Sequence, residues 1–353
     1  MPNTIITGTG SYIPTINIAN EYFLDHEFYG ADGKKLEKSN AIIIEKFKEI
    51  TCINERRVVT DDLVTSDIAF LAAEAALEGV DRESLDYIIV GHNFGDVKDN
   101  NPRSDTVPSI AARVKHKLRI RNPYTVAYDA LFGCPGWLHG MILANSCIKS
   151  GDAKKVLVIG AETLSRISDP HDIDSMIYSD GAGATLVEAT DQEVGILAHV
   201  SRSDTFDEAH LLRMGPSYKP DSYENRLFLK MNGHEIYKYA VKTVAETVKQ
   251  SLDKAGLSLS DVKKVLIHQA NQKMDEAILK RLFKLYRIDK GPVDIMPMTI
   301  SWLGNSSVAT LPTLFDLLQK GKMNNHVLHS GEIAVFASVG AGMNINSLVY
   351  KMP

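Results

Sequence analysis

Cys134 stands at the end of an apolar run and directly before a proline, in Tyr128-Asp129-Ala130-Leu131-Phe132-Gly133-Cys134-Pro135-Gly136-Trp137. Proline is favoured at the first position of a helix, where its missing N–H costs nothing. The spacing therefore predicts a helix opening at Pro135 with Cys134 as its N-cap. The partial positive charge of a helix N-terminus lowers a thiol pKa from about 8.5 toward neutrality and favours the thiolate. Trp137 to Ile148 is apolar nearly all round, which predicts a buried helix. The chemistry would be covalent, with sulfur as the nucleophile. The alternative is a small core cysteine, the commonest use of a free thiol.

Two further polar residues sit where elements begin or end. His268 closes Val265-Leu266-Ile267-His268-Gln269-Ala270-Asn271, at the end of an apolar strand and just before a helix over 272–287. Asn305, in Leu303-Gly304-Asn305-Ser306-Ser307, is placed as a helix N-cap, and the small residues around it permit close approach of another group. Gly340-Ala341-Gly342 follows the strand 333–339 and offers either a left-handed turn or backbone N–H groups for an oxyanion. Asp180-Gly181-Ala182-Gly183-Ala184 reads as the opening of a strand. Gly8-Thr9-Gly10 follows a strand but no helix pattern follows it, so it fails as a dinucleotide fingerprint. The helix after His268 carries Lys273, Lys280, Lys284 and Arg287 at helical spacing. Such a stripe is either a solvated face or a dock for an acidic partner.

The elements that must position these residues are duplicated. Ala75 to Gly91 and Ser251 to His268 both read helix, glycine cap, short loop and apolar strand. Gly79 to Gly91 and Gly256 to His268 each span 12 positions. Phe132-Gly133-Cys134 leads through a helix and Ser150-Gly151-Asp152 to Val156–Ala161. Leu303-Gly304-Asn305 leads likewise through Ser330-Gly331-Glu332 to Ile333–Ala337. Cys134 then falls opposite Asn305, and His268 opposite Gly91. Alternating strands and helices imply buried, mostly parallel sheets covered on both faces, with ligands at the strand C-termini. The halves divide at 1–190 and 191–353.

Composition narrows the class. The chain has 353 residues, 44% of them hydrophobic, which suffices for a large core. Its three cysteines, Cys52, Cys134 and Cys147, form no CxxC and no Cys/His cluster, so neither a disulfide scaffold nor a metal site is expected, and a reducing cytoplasm suits them. The net charge of −5 argues against nucleic acid or an anionic membrane as partner. The N-terminal residues lack a signal-peptide pattern, and no apolar run is long enough for a membrane helix.

Gly8-Thr9-Gly10-Ser11-Tyr12-Ile13-Pro14, the Cys134 segment, Asp180–Ala184, His268-Gln269-Ala270-Asn271, Gly304-Asn305-Ser306-Ser307 and Gly340–Gly342 occur in the order found in β-ketoacyl-acyl-carrier-protein synthase III, a family the whole chain resembles. The resemblance implies a thiolase-like α/β fold of five alternating layers (αβαβα), a homodimer, and no cofactor beyond acyl-CoA and acyl-carrier-protein thioesters. It implies Cys134 as the acyl acceptor, and His268 with Asn305 as the pair that holds the malonyl thioester and its enolate. The backbone N–H groups of Cys134 and Gly342 would form the oxyanion hole. The implied reaction is a decarboxylative Claisen condensation that initiates fatty-acid synthesis. The rivals are a specialised ketosynthase acting on longer chains, an acyltransferase without condensation, and an inactive scaffold.

The chain departs from the family pattern in places. Lys46, Ile50 and Ile173 stand where short-primer members carry a Trp and two Arg that contact adenine. Segments 25–40 and 96–101 look like insertions. Val107 replaces a bulky Phe that closes the partner's acyl pocket, which predicts a deeper pocket. Lys273 replaces a partner-binding Arg after the His268 motif.

Overall fold

The computed structural model describes residues 1–223, 225–289, 291–292 and 294–353. Two sheets organise the chain. The first runs in the order Asn3–Tyr12, Asp180–Thr190, Lys155–Thr163, Tyr87–Gly91, Val126–Ala130. Asp180–Thr190 runs antiparallel to both of its neighbours, and the last three strands are parallel. The second runs Gly195–Ser203, Asn344–Lys351, Ile333–Gly340, Val262–Ile267. It repeats the antiparallel, antiparallel, parallel sequence of the first four strands. Every strand of the first sheet lies before residue 191, and every strand of the second after it. The duplication read from the Gly79–Gly91 and Gly256–His268 spacing thus corresponds to equivalent strands, Tyr87–Gly91 and Val262–Ile267.

Helices fill the remaining layers. Gly136–Ser150 and Thr310–Gln319 lie between the sheets, where Trp137, Met141, Leu314 and Phe315 pack against Val156 and Val158 on one side and Leu266 and Phe336 on the other. A helix hydrophobic all round is stable only in such a place. Thr65–Ala76 and Ile110–Lys117 cover the outer face of the first sheet through Ile68, Ala72, Ala76 and Val114. Gly233–Ala255 and Gln272–Leu285 cover the second through Val244, Val248, Ile278 and Leu282. The result is the five-layer α/β architecture of the thiolase-like fold.

The structure corrects three local readings. The central helix starts at Gly136 with Pro135 in the capping place (φ −70°, ψ 1°), so Cys134 lies one residue outside it. A turn closed by the Gly136 N–H on the Gly133 carbonyl at 2.9 Å sets that start. The helix after His268 ends at Leu285, not 287. Arg287 adopts a left-handed φ of 57° and leaves the stripe. Asp180–Ala184 is strand throughout, paired on both sides, and does not merely lead into one. The segment 96–101 contributes to a small ribbon, Asp96–Lys98 against Asn101–Asp105.

Candidate active site

The ends of the strands Val126–Ala130 and Val262–Ile267 and of the short helix Ile300–Leu303 deliver Cys134, His268 and Asn305 to one cavity of about 100 Å³, which Ser307, Gly340 and Ala341 also line. Glycine makes the convergence possible: a Cβ on Gly340 would stand 2.5 Å from the Cys134 backbone nitrogen. Gly342 lies in this same turn, with Ala341 and Met343 on the cavity wall.

The Cys134 thiol is not held low. Burial pushes it up to about 11; the Ser307 hydroxyl, which donates to Sγ at 3.3 Å, works against this, and the nearby Glu162 carboxylate adds to it. The sequence pointed to a thiolate favoured by the helix terminus. Desolvation outweighs that effect here, because the sulfur sits outside the first turn and inside the protein. The thiol therefore needs a base.

His268 lines the same cavity and is the candidate for it. Burial lowers its pKa to about 4, so the ring is neutral at physiological pH. Nδ1 is engaged by Thr310 Oγ1 at 2.6 Å, leaving Nε2 for the cavity. Thr310 Oγ1 spends its one proton on the Ser307 carbonyl at 3.1 Å, so it accepts from Nδ1–H and leaves Nε2 as the unprotonated nitrogen. The His268 backbone N–H is fixed on the Ala337 carbonyl at 2.9 Å.

Asn305 is held by its backbone on both sides: its N–H donates to the Ile177 carbonyl at 3.0 Å, and its carbonyl accepts from Ser179 at 2.9 Å. Its Oδ1 accepts the Ser307 N–H at 2.8 Å. Asn305 is not the helix cap the sequence predicts: the cap positions are Ser306 and Ala309, which follow it, and its own contact is an i to i+2 Asx turn that occupies only the oxygen. The amide Nδ2, two N–H donors, remains for a ligand.

A larger cleft of about 880 Å³ shares Met231, Ile236, Ala270, Met274 and Asn305 with the small cavity. Its outer wall is the segment 32–38 together with Ile42, Phe47 and Ile50 of the helix Asn40–Thr51. Lys46, Ile50 and Ile173, the three departures from the family pattern, all line it. Val107 lies elsewhere. It is 84% exposed before the helix Ile110–Lys117 and lines neither cavity of its own chain, so any pocket it closes belongs to another copy. Lys273, Lys280 and Lys284 are exposed on Gln272–Leu285, with Lys273 paired to Glu276 at 3.5 Å.

Four residues of the site escaped sequence reasoning: Asn93, Glu162, Ser307 and Thr310. Glu162 left a signal, a lone carboxylate ending the apolar strand Val156–Ala161. It is fully buried, which raises its pKa to about 7. Asn93 left none, because its partner is 69 residues away.

The family described as 3-oxoacyl-[acyl-carrier-protein] synthase III matches residues 128–205, and its C-terminal part matches 252–352. A β-ketoacyl-[acyl-carrier-protein] synthase III of Halalkalibacterium halodurans is 31% identical over 350 residues, covering 98% of this chain and 97% of the relative. One from Vibrio vulnificus is 32% identical over 352 residues, covering 98% of each. The crystal structure of β-ketoacyl-[acyl-carrier-protein] synthase III from Thermus thermophilus superposes with a TM-score of 0.81 at 28% identity, covering 99% of both chains.

Proposed function

This chain belongs to the β-ketoacyl-[acyl-carrier-protein] synthase III family, and from that premise we propose how its residues carry out the family's reaction. The enzyme is an acyltransferase of the 3-oxoacyl-[acyl-carrier-protein] synthase III type. It condenses an acyl thioester primer with malonyl-acyl-carrier protein, with loss of CO2, to initiate fatty-acid synthesis.

In the first half-reaction His268 Nε2 takes the Cys134 proton. The sulfur then bonds to the primer's acyl carbon, the primer's own C–S bond breaks, and the proton leaves with the departing thiolate. Backbone N–H groups of Cys134 and Gly342 hold the oxyanion. In the second, the malonyl C–C bond to the carboxylate breaks and its electron pair becomes an enolate. Asn305 Nδ2 donates to the enolate oxygen, joined by His268 once Nε2 carries a proton taken from solvent. The α-carbon then bonds to the acyl carbon, the Cys134 C–S bond breaks, and His268 passes that proton to the released Cys134 thiolate. These steps balance with two thioesters and one proton, so no cofactor is proposed. The convergence of Cys134, His268 and Asn305 on one cavity, with the Asn305 amide N–H unspent, carries this reading.

The enzyme acts as a homodimer. The strand Val126–Ala130 is an edge of its sheet, bonded only to Tyr87–Gly91, and Tyr124, Val126 and Leu131 beside it are exposed. An open apolar edge is a template for a second copy. Lys280 and Lys284 dock the carrier protein, and Arg287 extends that surface from the turn beyond the helix. Val107 borders the partner's acyl pocket. The thioester substrates and the free cysteines suit the cytoplasm. Among the described residues no helix is long and apolar enough to cross a membrane.

Intact-mass measurement with a panel of acyl-CoAs and acyl-carrier proteins tests the reading. The wild type gains an acyl mass, and Cys134→Ala gains none. An acyl mass on Cys134→Ala would refute the assignment of the nucleophile.

A further inference from the structure

Ser307 contacts Cys134 and Asn305 directly and is linked to His268 through Thr310. Its hydroxyl donates to Cys134 Sγ at 3.3 Å. Its N–H donates to Asn305 Oδ1 at 2.8 Å. Its carbonyl accepts from Thr310 Oγ1 at 3.1 Å, the same hydroxyl that meets His268 Nδ1. Ser307 is buried and holds a left-handed φ of 52°. Such a conformation is unfavourable for a non-glycine residue and collects at functional sites.

The direction of the hydroxyl proton can be deduced. Glu162 Oε2 accepts from the Asn93 backbone N–H at 2.9 Å and from Asn93 Nδ2 at 2.6 Å. Oε2 accepts in either protonation state, because the partnerless Oε1 is the oxygen that takes the proton, so the Asn93 side chain presents its NH2 to Oε2. The same Nδ2 reaches Ser307 Oγ at 3.1 Å, so Ser307 accepts from Asn93. Its single proton is left for the sulfur.

We propose that Ser307 is a further catalytic residue, a hydrogen-bond donor to the Cys134 sulfur, and that Asn93 and Glu162 are positioning residues that fix the direction of its O–H. The role rests on the reading of Cys134 as acyl acceptor. The donor stabilises the thiolate twice, as it attacks the primer and as it leaves the condensed product. No bond to Ser307 forms or breaks. Glu162 acts in two ways: it orients Asn93, and when ionised its charge opposes the thiolate. The other titratable groups around the pair are His268, Tyr178 and, beside Glu162, His92 with its partner Asp129.

The test is the rate at which iodoacetamide alkylates Cys134 from pH 6 to 9, read by peptide mass mapping. Ser307→Gly is the informative variant. Glycine adopts positive φ freely, and the backbone contacts to Asn305 and Thr310 survive, so the hydroxyl alone is lost, with its bond to sulfur and its acceptance from Asn93, which keeps Glu162 as partner. Its alkylation should fall about 10- to 100-fold at pH 7.5, the usual effect of a hydrogen bond to a charged group, while its thermal melt stays at or above that of the wild type. In the wild type the rate should rise less steeply above about pH 7, as Glu162 ionises. Glu162→Gln should remove that bend and alkylate faster above it. A structural role alone would slow both variants. Wild-type alkylation by Ser307→Gly, or slower alkylation by Glu162→Gln at every pH, overturns the proposal. Alkylation involves no malonyl donor, so a wild type that never condenses would sink the condensation reading and leave this result standing.

Discussion

At the scale of single residues, two opposing effects meet on Cys134. A helix N-terminus favours a nearby negative charge by about 0.3–1 kcal/mol. Burial raises the thiol from 9.0 to about 11, which at roughly 1.4 kcal/mol per pKa unit is on the order of 2–3 kcal/mol. Desolvation wins, and the proposed mechanism therefore gives His268 a part in both half-reactions. Glu162 carries the complementary lesson for stability. Its pKa is raised from 4.5 to about 7 by burial. The folded state therefore holds the proton more tightly than the unfolded chain. The stabilisation is fully present below about pH 4.5 and is lost as pH rises through 7. Glu162→Gln cannot ionise, so relative to the wild type it should gain about 1–3 kcal/mol of stability between pH 5 and pH 8. Urea unfolding at the two pH values measures this difference. An equal gap at both would show that Glu162 stays neutral or is solvated on the way.

At the scale of elements, close approaches at glycines register the layers. A Cβ on Gly160 would meet the Val308 carbonyl at 2.4 Å, and one on Gly91 would meet the Gly136 carbonyl carbon at 2.6 Å. Gly340 is the most demanding of these for function, because its neighbour is the nucleophile's own nitrogen. Gly340→Ala should lower Cys134 acylation at least about 100-fold, since small displacements at a reacting centre cost that much, while circular dichroism stays native. Acylation at the wild-type rate would show that the turn yields freely. Much of this layer was legible in the sequence. The apolar strands ending at Gly91, His268 and Gly340 and the matched spacing between the halves revealed the duplicated fold, and the resemblance singled out Cys134, His268 and Asn305, which line one cavity. What escaped depends on residues distant in the chain. The Cys134 thiol's environment is set by Ser307 and Glu162, the bend at Arg287 by one left-handed residue, and the cleft wall by a loop at 32–38 that folds against Ile173.

At the scale of the molecule, an acidic chain of net charge −5 presents a locally basic helix face at Lys280 and Lys284. Lys273 faces Glu276 at 3.5 Å and so contributes less. Exposed charges at a rim act mainly on encounter rate and are screened by salt. Reversing Lys280 and Lys284 to Glu should lower kcat/KM for malonyl-carrier protein several-fold at low salt, with the defect shrinking at high salt. Cys134 acylation by a small thioester should not change. Carrier-protein kinetics unaffected at any ionic strength would make the stripe a solvated face.

The central claim is that one cavity performs two half-reactions with separable donors, and Asn305 separates them most directly. Its Oδ1 is spent on the Ser307 N–H, and its Nδ2 is proposed to serve only the enolate. In single-turnover mass spectrometry Asn305→Ala should acquire the acyl mass on Cys134 at close to the wild-type rate. It should then condense with malonyl-carrier protein about 10²–10³-fold more slowly, the usual cost of one lost oxyanion donor. Condensation by Asn305→Ala at the wild-type rate would contradict the account and leave Asn305 as a turn-forming residue alone.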